Sequence, residues 1–256
     1  MPSGIRILIS NDDGINSPGI AALEKSLSNL GEVILVAPDR DNSASSHALS
    51  LSRPLRVEKI ASGRYSVDGT PTDCINLAVN GLIEGKRPDL IVSGINKGAN
   101  MGDDITYSGT VSAAMEGVLL RIPSIAVSVP GKDSFIFEPA ADYAKTVAEF
   151  VLKNGLPKNT LLNVNVPNMP EDKIKGVKFT KQGKRHYNEK ITKNKDPRGR
   201  TYYWIGGDEL AYHKIPNTDI VSVVNGWISV TPIKLDFTDY SYLDTLNDHH
   251  KMDLKK

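Results

Sequence analysis

Residues 5–38 read IRILISNDDGINSPGIAALEKSLSNLGEVILVAP, and the reading of this stretch decides the fold. Residues 5–10 are short, branched and apolar on both faces, the pattern of a strand covered on two sides. Ser17 then offers an N-cap, Pro18 an N1 residue, and Ile20, Leu23, Leu27 and Leu30 an apolar stripe. With Gly31 as a stop, the spacing predicts a helix. Residues 32–38 return as a second apolar strand. Strand, helix, strand is a βαβ crossover, which joins parallel neighbours.

The alternation continues along the chain. PLRVEKI and RYSVDG flank ASG and predict a hairpin. TPTDCINLAVNGLI predicts a helix starting at Thr70 or Thr72, PDLIVSG a strand, SGTVSAAMEGVLL a helix and PSIAVSV a strand. EPAADYAKTVAEFVLKNG is an amphipathic helix with Gly155 as its stop, and TLLNVNVP is a further strand. The expected fold is α/β, a doubly wound, Rossmann-like, mostly parallel sheet with helices on both faces. One α/β domain should span residues 1–256. A basic, aromatic, strand-like hairpin excursion, with a turn at KDPRGR, is expected at about 170–215. TDIVSVVNGWISVTPI then predicts a short helix and a strand, and a polar C-terminal tail covers about 232–256.

Composition narrows the function. The 256 residues are 39% hydrophobic and 24% charged, which excludes a disordered chain. A formal net charge of +1 gives no push toward nucleic acid or a membrane surface. There is neither a signal-peptide h-region nor an apolar run long enough to span a bilayer, so a cytoplasmic protein is expected. The one cysteine, Cys74, has no partner for an internal disulfide and reads as a small core residue.

In a parallel sheet, ligands bind beyond the carboxyl ends of the strands. The polar junctions there are NDDGINS, PDRDNSASSH and INKGANMGDDITYSGT. Asp12 and Asp13 can converge only if the chain has left the strand, since consecutive strand residues point to opposite faces. Gly14 permits that bend. Two close carboxylates need something to cancel them, and hard divalent cations take oxygen ligands. The bland alternative is that one aspartate caps the following helix while the other is solvated. Ser43, Asn96 and Asn100 offer neutral oxygens, though each residue type is also common in turns. Ser108, Gly109 and Thr110 open a helix, where free N–H groups attract anions; simple N-capping is the competing reading. GINKGANMG fits neither the dinucleotide nor the P-loop pattern. Lys181, Lys184, Arg185, Lys190, Lys193, Lys195, Arg198 and Arg200 form either a solvated face or an attractor for an anionic substrate. His47, His186 and His213 lack metal-ligand spacing, and no role is assigned to His249 and His250 in the tail.

Five segments, ILISNDDGINSPGI, VAPDRDNSASSHALSL, VDGTPTDCINLAV, PDLIVSGINKGANMGDDITYSGTVSAAMEG and SIAVSV, resemble in this order the signature segments of the SurE family, the stationary-phase survival nucleotidases. The resemblance is strong over residues 5–130 and looser beyond. It implies a metal-dependent 5′-nucleotidase that hydrolyses nucleoside 5′- and 3′-monophosphates, with short polyphosphate as a further substrate. It implies one divalent cation per subunit, Mg²⁺ or Mn²⁺, on Asp12, Asp13, Ser43 and Asn96. Asn100, Ser108, Gly109 and Thr110 would surround the phosphate, and Asp12 would be the catalytic residue, orienting or deprotonating water. It further implies a homodimer or homotetramer with the excursion and tail exchanged between subunits. One departure is Asp41–Asn42, at positions where the family pattern varies. The aspartyl-phosphate phosphatases need carboxylates at i and i+2 after the first strand. Here those pairs are Asn11 with Asp13 and Asp12 with Gly14, and neither fits. A nucleotide-binding regulator would share the fold but need no paired aspartates.

Overall fold

The computed structural model describes residues 4–186, 191–205 and 211–248. The first unit is β1 (Arg6–Ser10), α1 (Pro18–Leu27) and β2 (Glu32–Pro38), with β1 parallel to β2 in the register Arg6↔Glu32 to Ile9↔Leu35. Ser17 caps α1 as its side chain accepts from the Ile20 N–H. Gly31 is not the stop. The helix ends earlier, at the cap Ser28, and Gly31 is where the chain presses on β1: a Cβ there would lie 2.5 Å from the Ile5 carbonyl oxygen.

The hairpin is β3 (Val57–Ala61) and β4 (Arg64–Val67), and β4 continues the sheet parallel to β2. Helix α2 (Pro71–Leu77) starts at Thr70, which forms a capping box with Asp73. Then come β5 (Leu90–Lys97), α3 (Gly109–Leu119), β6 (Ser124–Val129), α4 (Glu138–Asn154, capped by Gly155) and β7 (Thr160–Asn165). Next are β8 (Val177–Phe179), β9 (Arg185–His186), the hairpin strands β10 (Ile191–Lys195) and β11 (Thr201–Ile205), and β12 (Ala211–Tyr212). Helix α5 (Asp219–Val224), β13 (Ile228–Lys234) and α6 (Tyr240–Asp248) complete the order.

Nine strands form one sheet in the order β3-β4-β2-β1-β5-β6-β7-β13-β8. The block from β4 to β7 is parallel throughout. Departures from parallel pairing lie at its margins: β3 is antiparallel to β4, and β13 is antiparallel to β7, with Ser229 opposite Asn165 and Lys234 opposite Thr160. β8, inside the expected excursion, is a strand of the main sheet, parallel to β13.

Two apolar layers sandwich the parallel block. Ile7, Ile9, Leu35, Leu90 and Val92 pack under Ile20, Leu23 and Leu27 of α1 and Ala140, Ala144 and Val151 of α4. On the other face, Leu8, Val36 and Ile91 pack with Cys74, Ile75 and Ala113 from α2 and α3. The alternation of Ile7, Leu8 and Ile9 between layers is the strand period at work. Cys74 is a core residue, its thiol pKa pushed up by burial. Strand order reverses between β1 and β5: from β1 the chain crosses to β2, and β5 returns on the other side. The crevice beyond the carboxyl ends of these two strands is therefore the switch point.

Candidate active site

The loop leaving β1 at the switch point is folded tightly by Asn11, whose amide donates to the Gly14 carbonyl (3.0 Å) and to Ser17 Oγ (2.7 Å). Gly14, at φ +93°, makes the bend that L side chains resist. The turn sends Asp12 back into the molecule, where it is 3% exposed. Its Oδ1 accepts from the Thr110 hydroxyl at the start of α3. Burial pushes the Asp12 carboxyl up to about 6, against the pull of the Thr110 bond and with a further push from Asp13. Asp13 points to the exit of β5. Its Oδ2 accepts the Lys97 amide N–H (3.0 Å) and its Oδ1 lies 3.6 Å from Lys97 Nζ. Burial raises its pKa also, with Lys97 opposing the shift and Asp41 adding to it. Neither carboxylate caps α1, because Ser17 does; the bland reading of the pair therefore fails.

Ser43 sits on an exposed loop held to the pair by the Asn42 N–H, which donates to the Asp12 carbonyl (2.7 Å). Its amide (2.8 Å) and hydroxyl (2.6 Å) both donate to Asp41 Oδ1, so the hydroxyl oxygen keeps its lone pairs. Asn96 is buried on β5 and commits its amide nitrogen to the Gly98 carbonyl (3.1 Å), leaving Oδ1 as the remaining acceptor. Asn100 is tied elsewhere. Its Nδ2 donates to Ser128 Oγ (2.8 Å), its N–H to Asn165 Oδ1, and its carbonyl accepts from Asn163 and Asn165. One amide proton of Asn100 is left for an anion.

Ser108 is the N-cap of α3 and accepts from the Val111 N–H (3.0 Å). The first turn of α3 is already met by an anion, the Asp12 carboxylate, bonded by the Thr110 hydroxyl and steadied by its backbone. Gly109 explains how they come so close. A Cβ at this position would lie 2.8 Å from both Asp12 Cβ and Ser45 Oγ. Ser45 Oγ is buried beside it without a hydrogen-bond partner among the described residues.

Of the residues read from the sequence, the structure brings Thr110 and Gly109 against Asp12, sets Asp13 on the residue after Asn96 and ties the loop of Ser43 to Asp12 through Asn42; Ser45, Lys97 and the Asp41 bond to Ser43 were not read as part of a site. Lys97 follows Asn96 directly, and SASSH is a visible run of small hydroxyls, but neither carries a spacing that marks it. The basic excursion is partly spent internally. Lys184 pairs with Asp103 (2.7 Å), Arg185 with Asp104, and Lys193 lies over the Tyr203 ring. Lys190 lies outside the described residues, as do His249 and His250. His186 and His213 meet edge to face, with ring centroids 5.3 Å apart.

The donor set suits a hard dication. The two carboxylates leave neighbouring positions of one loop, Ser43 follows a residue bonded to that loop and Asn96 precedes the lysine that holds Asp13, so a hydroxyl and an amide oxygen lie on the adjoining segments, and Lys97 is the cation that the chain itself supplies there. Among the described residues no three His, Cys, Asp or Glu side chains come together, so a cation would draw on neutral oxygens as well. Also among the described residues, no helix is long and apolar enough to cross a membrane.

The family model described as "Survival protein SurE" matches residues 7–189. A protein of Geobacter metallireducens named 5′-nucleotidase SurE is 50% identical over 245 residues, covering 94% of this chain and 96% of its own. Its namesake from Geobacter sulfurreducens is 52% identical, over 94% of this chain and 92% of its own. A crystal structure of the SurE protein from Aquifex aeolicus superposes with a TM-score of 0.85 at 48% identity, over 95% of this chain and 98% of that one. With the sequence matched from β1 into the excursion and the fold matched nearly end to end, the chain belongs to the SurE family.

Proposed function

We propose that this protein is a divalent-cation-dependent nucleotidase that hydrolyses nucleoside 5′- and 3′-monophosphates to nucleoside and phosphate, with short polyphosphate as a further substrate. The observation that carries the reading is the Asp12–Asp13 pair at the switch point, Asp12 buried and Asp13 half-buried, in a chain about half identical to proteins named 5′-nucleotidase over 94% of its length. Asp12, Asp13, Ser43 and Asn96 would hold one Mg²⁺ or Mn²⁺. Such a cation supplies Lewis-acid polarisation of the phosphoryl oxygens and activation of water.

The chain's own groups do the rest. Asp12, anchored by Thr110, is fixed in orientation and can accept the proton of an attacking water. The amide of Gly109, the hydroxyl of Ser45 and the remaining amide proton of Asn100 are donors for phosphate oxygens as charge develops on them. Lys97 holds Asp13 and adds positive charge at the same rim. The protein would act in the cytoplasm as a homodimer or homotetramer, with residues 1–256 as one α/β unit.

The test is a panel of phosphomonoesters, with short polyphosphate included, against Mg²⁺, Mn²⁺ and other dications. The expected result is nucleotide hydrolysis that EDTA abolishes and Mg²⁺ or Mn²⁺ restores. Asp13→Asn should lose about a hundredfold or more in kcat, the scale of removing one preorganised electrostatic group. Full activity in metal-free buffer would overturn the proposal, and a trapped phosphoenzyme would move Asp12 from base to nucleophile.

A further inference from the structure

The phosphate end of the site lies at the first turn of α3, and the loop that carries Ser43 continues along that helix. Ser45 Oγ packs beside Gly109, the Ser46 N–H donates to the Tyr107 carbonyl (3.1 Å), and His47 Nε2 lies 2.9 Å from Oε2 of Glu116. Gly109 and Glu116 are seven residues apart, which is about 10 Å along a helix axis.

Glu116 is 5% exposed, an unusual place for a carboxylate on a helix of small residues. Its second oxygen accepts from Asn76 Nδ2 on α2 (2.7 Å), so the buried charge is met from both sides. The bonds to His47 and Asn76 hold its pKa below the ordinary glutamate value. The consequence falls on His47. A loop histidine would otherwise sample several rotamers, but here one ring edge is fixed by a charged partner. The ring itself stays 31% exposed and lines a cavity of about 750 Å³. Ile105, Thr106, Ser112, Met115 and Leu119 form other walls. A slot with apolar walls, several hydroxyls, the Gln182 amide, Lys181 and Lys234 at its border and one oriented imidazole, in the size range of small-molecule pockets, is suited to a flat heteroaromatic ring with polar edges.

We propose that this cavity takes the nucleobase of the substrate and that His47, held by Glu116 and Asn76, is the residue that recognises it. The proposal rests on the nucleotidase reading and deepens it. The phosphate would sit at Gly109 and the base two helical turns away, with the Ser43–His47 loop running alongside the nucleoside between them. The C-terminal residues Leu235 and Phe237 also border the cavity, so filling by the tail or by a second copy is the competing outcome.

The experiment compares AMP, GMP, CMP and UMP with ribose 5-phosphate, which carries the same phosphate and no base. His47→Ala should lower kcat/KM for the nucleotides by about tenfold, the worth of one good contact, mostly through KM, and leave ribose 5-phosphate within about twofold. His47→Gln, which keeps a hydrogen-bonding edge, should recover part of the loss. Thr106→Trp, an exposed substitution on the cavity wall, should reproduce the His47→Ala pattern even if that variant folds poorly. Equal losses on ribose 5-phosphate and nucleotides, or no loss from either variant, would overturn the proposal in favour of a cavity filled by protein. A wild type that cleaves ribose 5-phosphate but no nucleotide would overturn the nucleotidase reading itself, and this one with it.

Discussion

Asp12 occupies a place where a carboxylate is at its least stable. Burial moves its pKa from 3.8 to about 6. A shift of that size corresponds to about 3 kcal/mol of unfavourable ionisation in the folded chain. Because the folded value is raised, the associated stability is fully present below the unfolded value near 4 and is lost as pH rises through about 6. In EDTA at pH 8, Asp12→Asn should therefore melt at a higher temperature than the wild type, and the gap should close as the buffer is brought below pH 4. Saturating Mg²⁺ should raise the wild type's melting temperature and leave the variant's unchanged. An Asp12→Asn variant that is less stable at pH 8 without metal would show that burial is not the dominant strain. The pair was visible in the sequence as two adjacent like charges after an apolar strand, and what separates it from a helix cap with a solvated neighbour is that Ser17 caps α1 and Asp12 turns inward. Asn100 was less legible: its partners Asn163 and Asn165 lie 63 and 65 residues away and are brought near only by the pairing of β6 with β7. His47 could not be read at all, since its orientation comes from a carboxylate 69 residues away on α3.

At the scale of elements, the parallel block was readable because each strand and helix carries its own period and cap. The last strands were not. β9 and β12 have two residues each, too short for a period, and the direction of β13 is not a property of its residues: ISVTPIK would read the same antiparallel or parallel. Gly31 was misread because a glycine after a helical stripe resembles a stop, while the contact that requires it, with Ile5, comes from the sheet. One buried residue ties these late elements to the site. Asp219 on α5 accepts the N–H of Gly102 (2.9 Å) and of Gly183 (2.8 Å), and Gln182 donates to the Gly102 carbonyl. Gly102 begins the turn that leads into α3, so the excursion's root and the approach to the phosphate site share one carboxylate. Burial raises its pKa and the backbone donors oppose the shift. Asp219→Asn keeps the volume but turns an N–H₂ toward at least one of three N–H donors, those of Gly102, Gly183 and Ile220. It should cost about 1–3 kcal/mol, the penalty of a buried donor left without its acceptor, seen as a lower urea midpoint. It should also raise KM more than it lowers kcat. A variant with wild-type KM would mean that the turn holds its shape without Asp219.

At the scale of the whole molecule, the parallel block is covered on both faces and the late elements are not. Ile191, Tyr203, Trp204 and Ile205 of the β10–β11 hairpin are 63%, 60%, 65% and 91% exposed. Phe179 on β8 and Phe237 before α6 reach 85% and 89%, and Tyr240 and Tyr242 on α6 are more than half exposed. Tyr187, counted with these aromatics in the sequence, lies outside the described residues. Scattered apolar side chains on a surface need no explanation, but this set is concentrated on one excursion and one tail. The hairpin is a separate two-stranded sheet, and such ribbons are marginal in water by themselves. A charged, aromatic ribbon that no layer of its own chain covers among the described residues gains most from a second copy presenting the same surface, because one substitution then serves two contacts in a closed, symmetric pair. The expected outcome is a dimer or tetramer by light scattering at micromolar concentration. Replacing residues 191–205 with a short Gly-Ser turn should shift that mass toward the monomer, and nucleotide hydrolysis should persist in whatever fraction keeps the Asp219 clamp intact. A wild-type monomer at the same concentration would leave the exposed aromatics to some other partner and overturn the assembly, with the chemistry at Asp12 untouched.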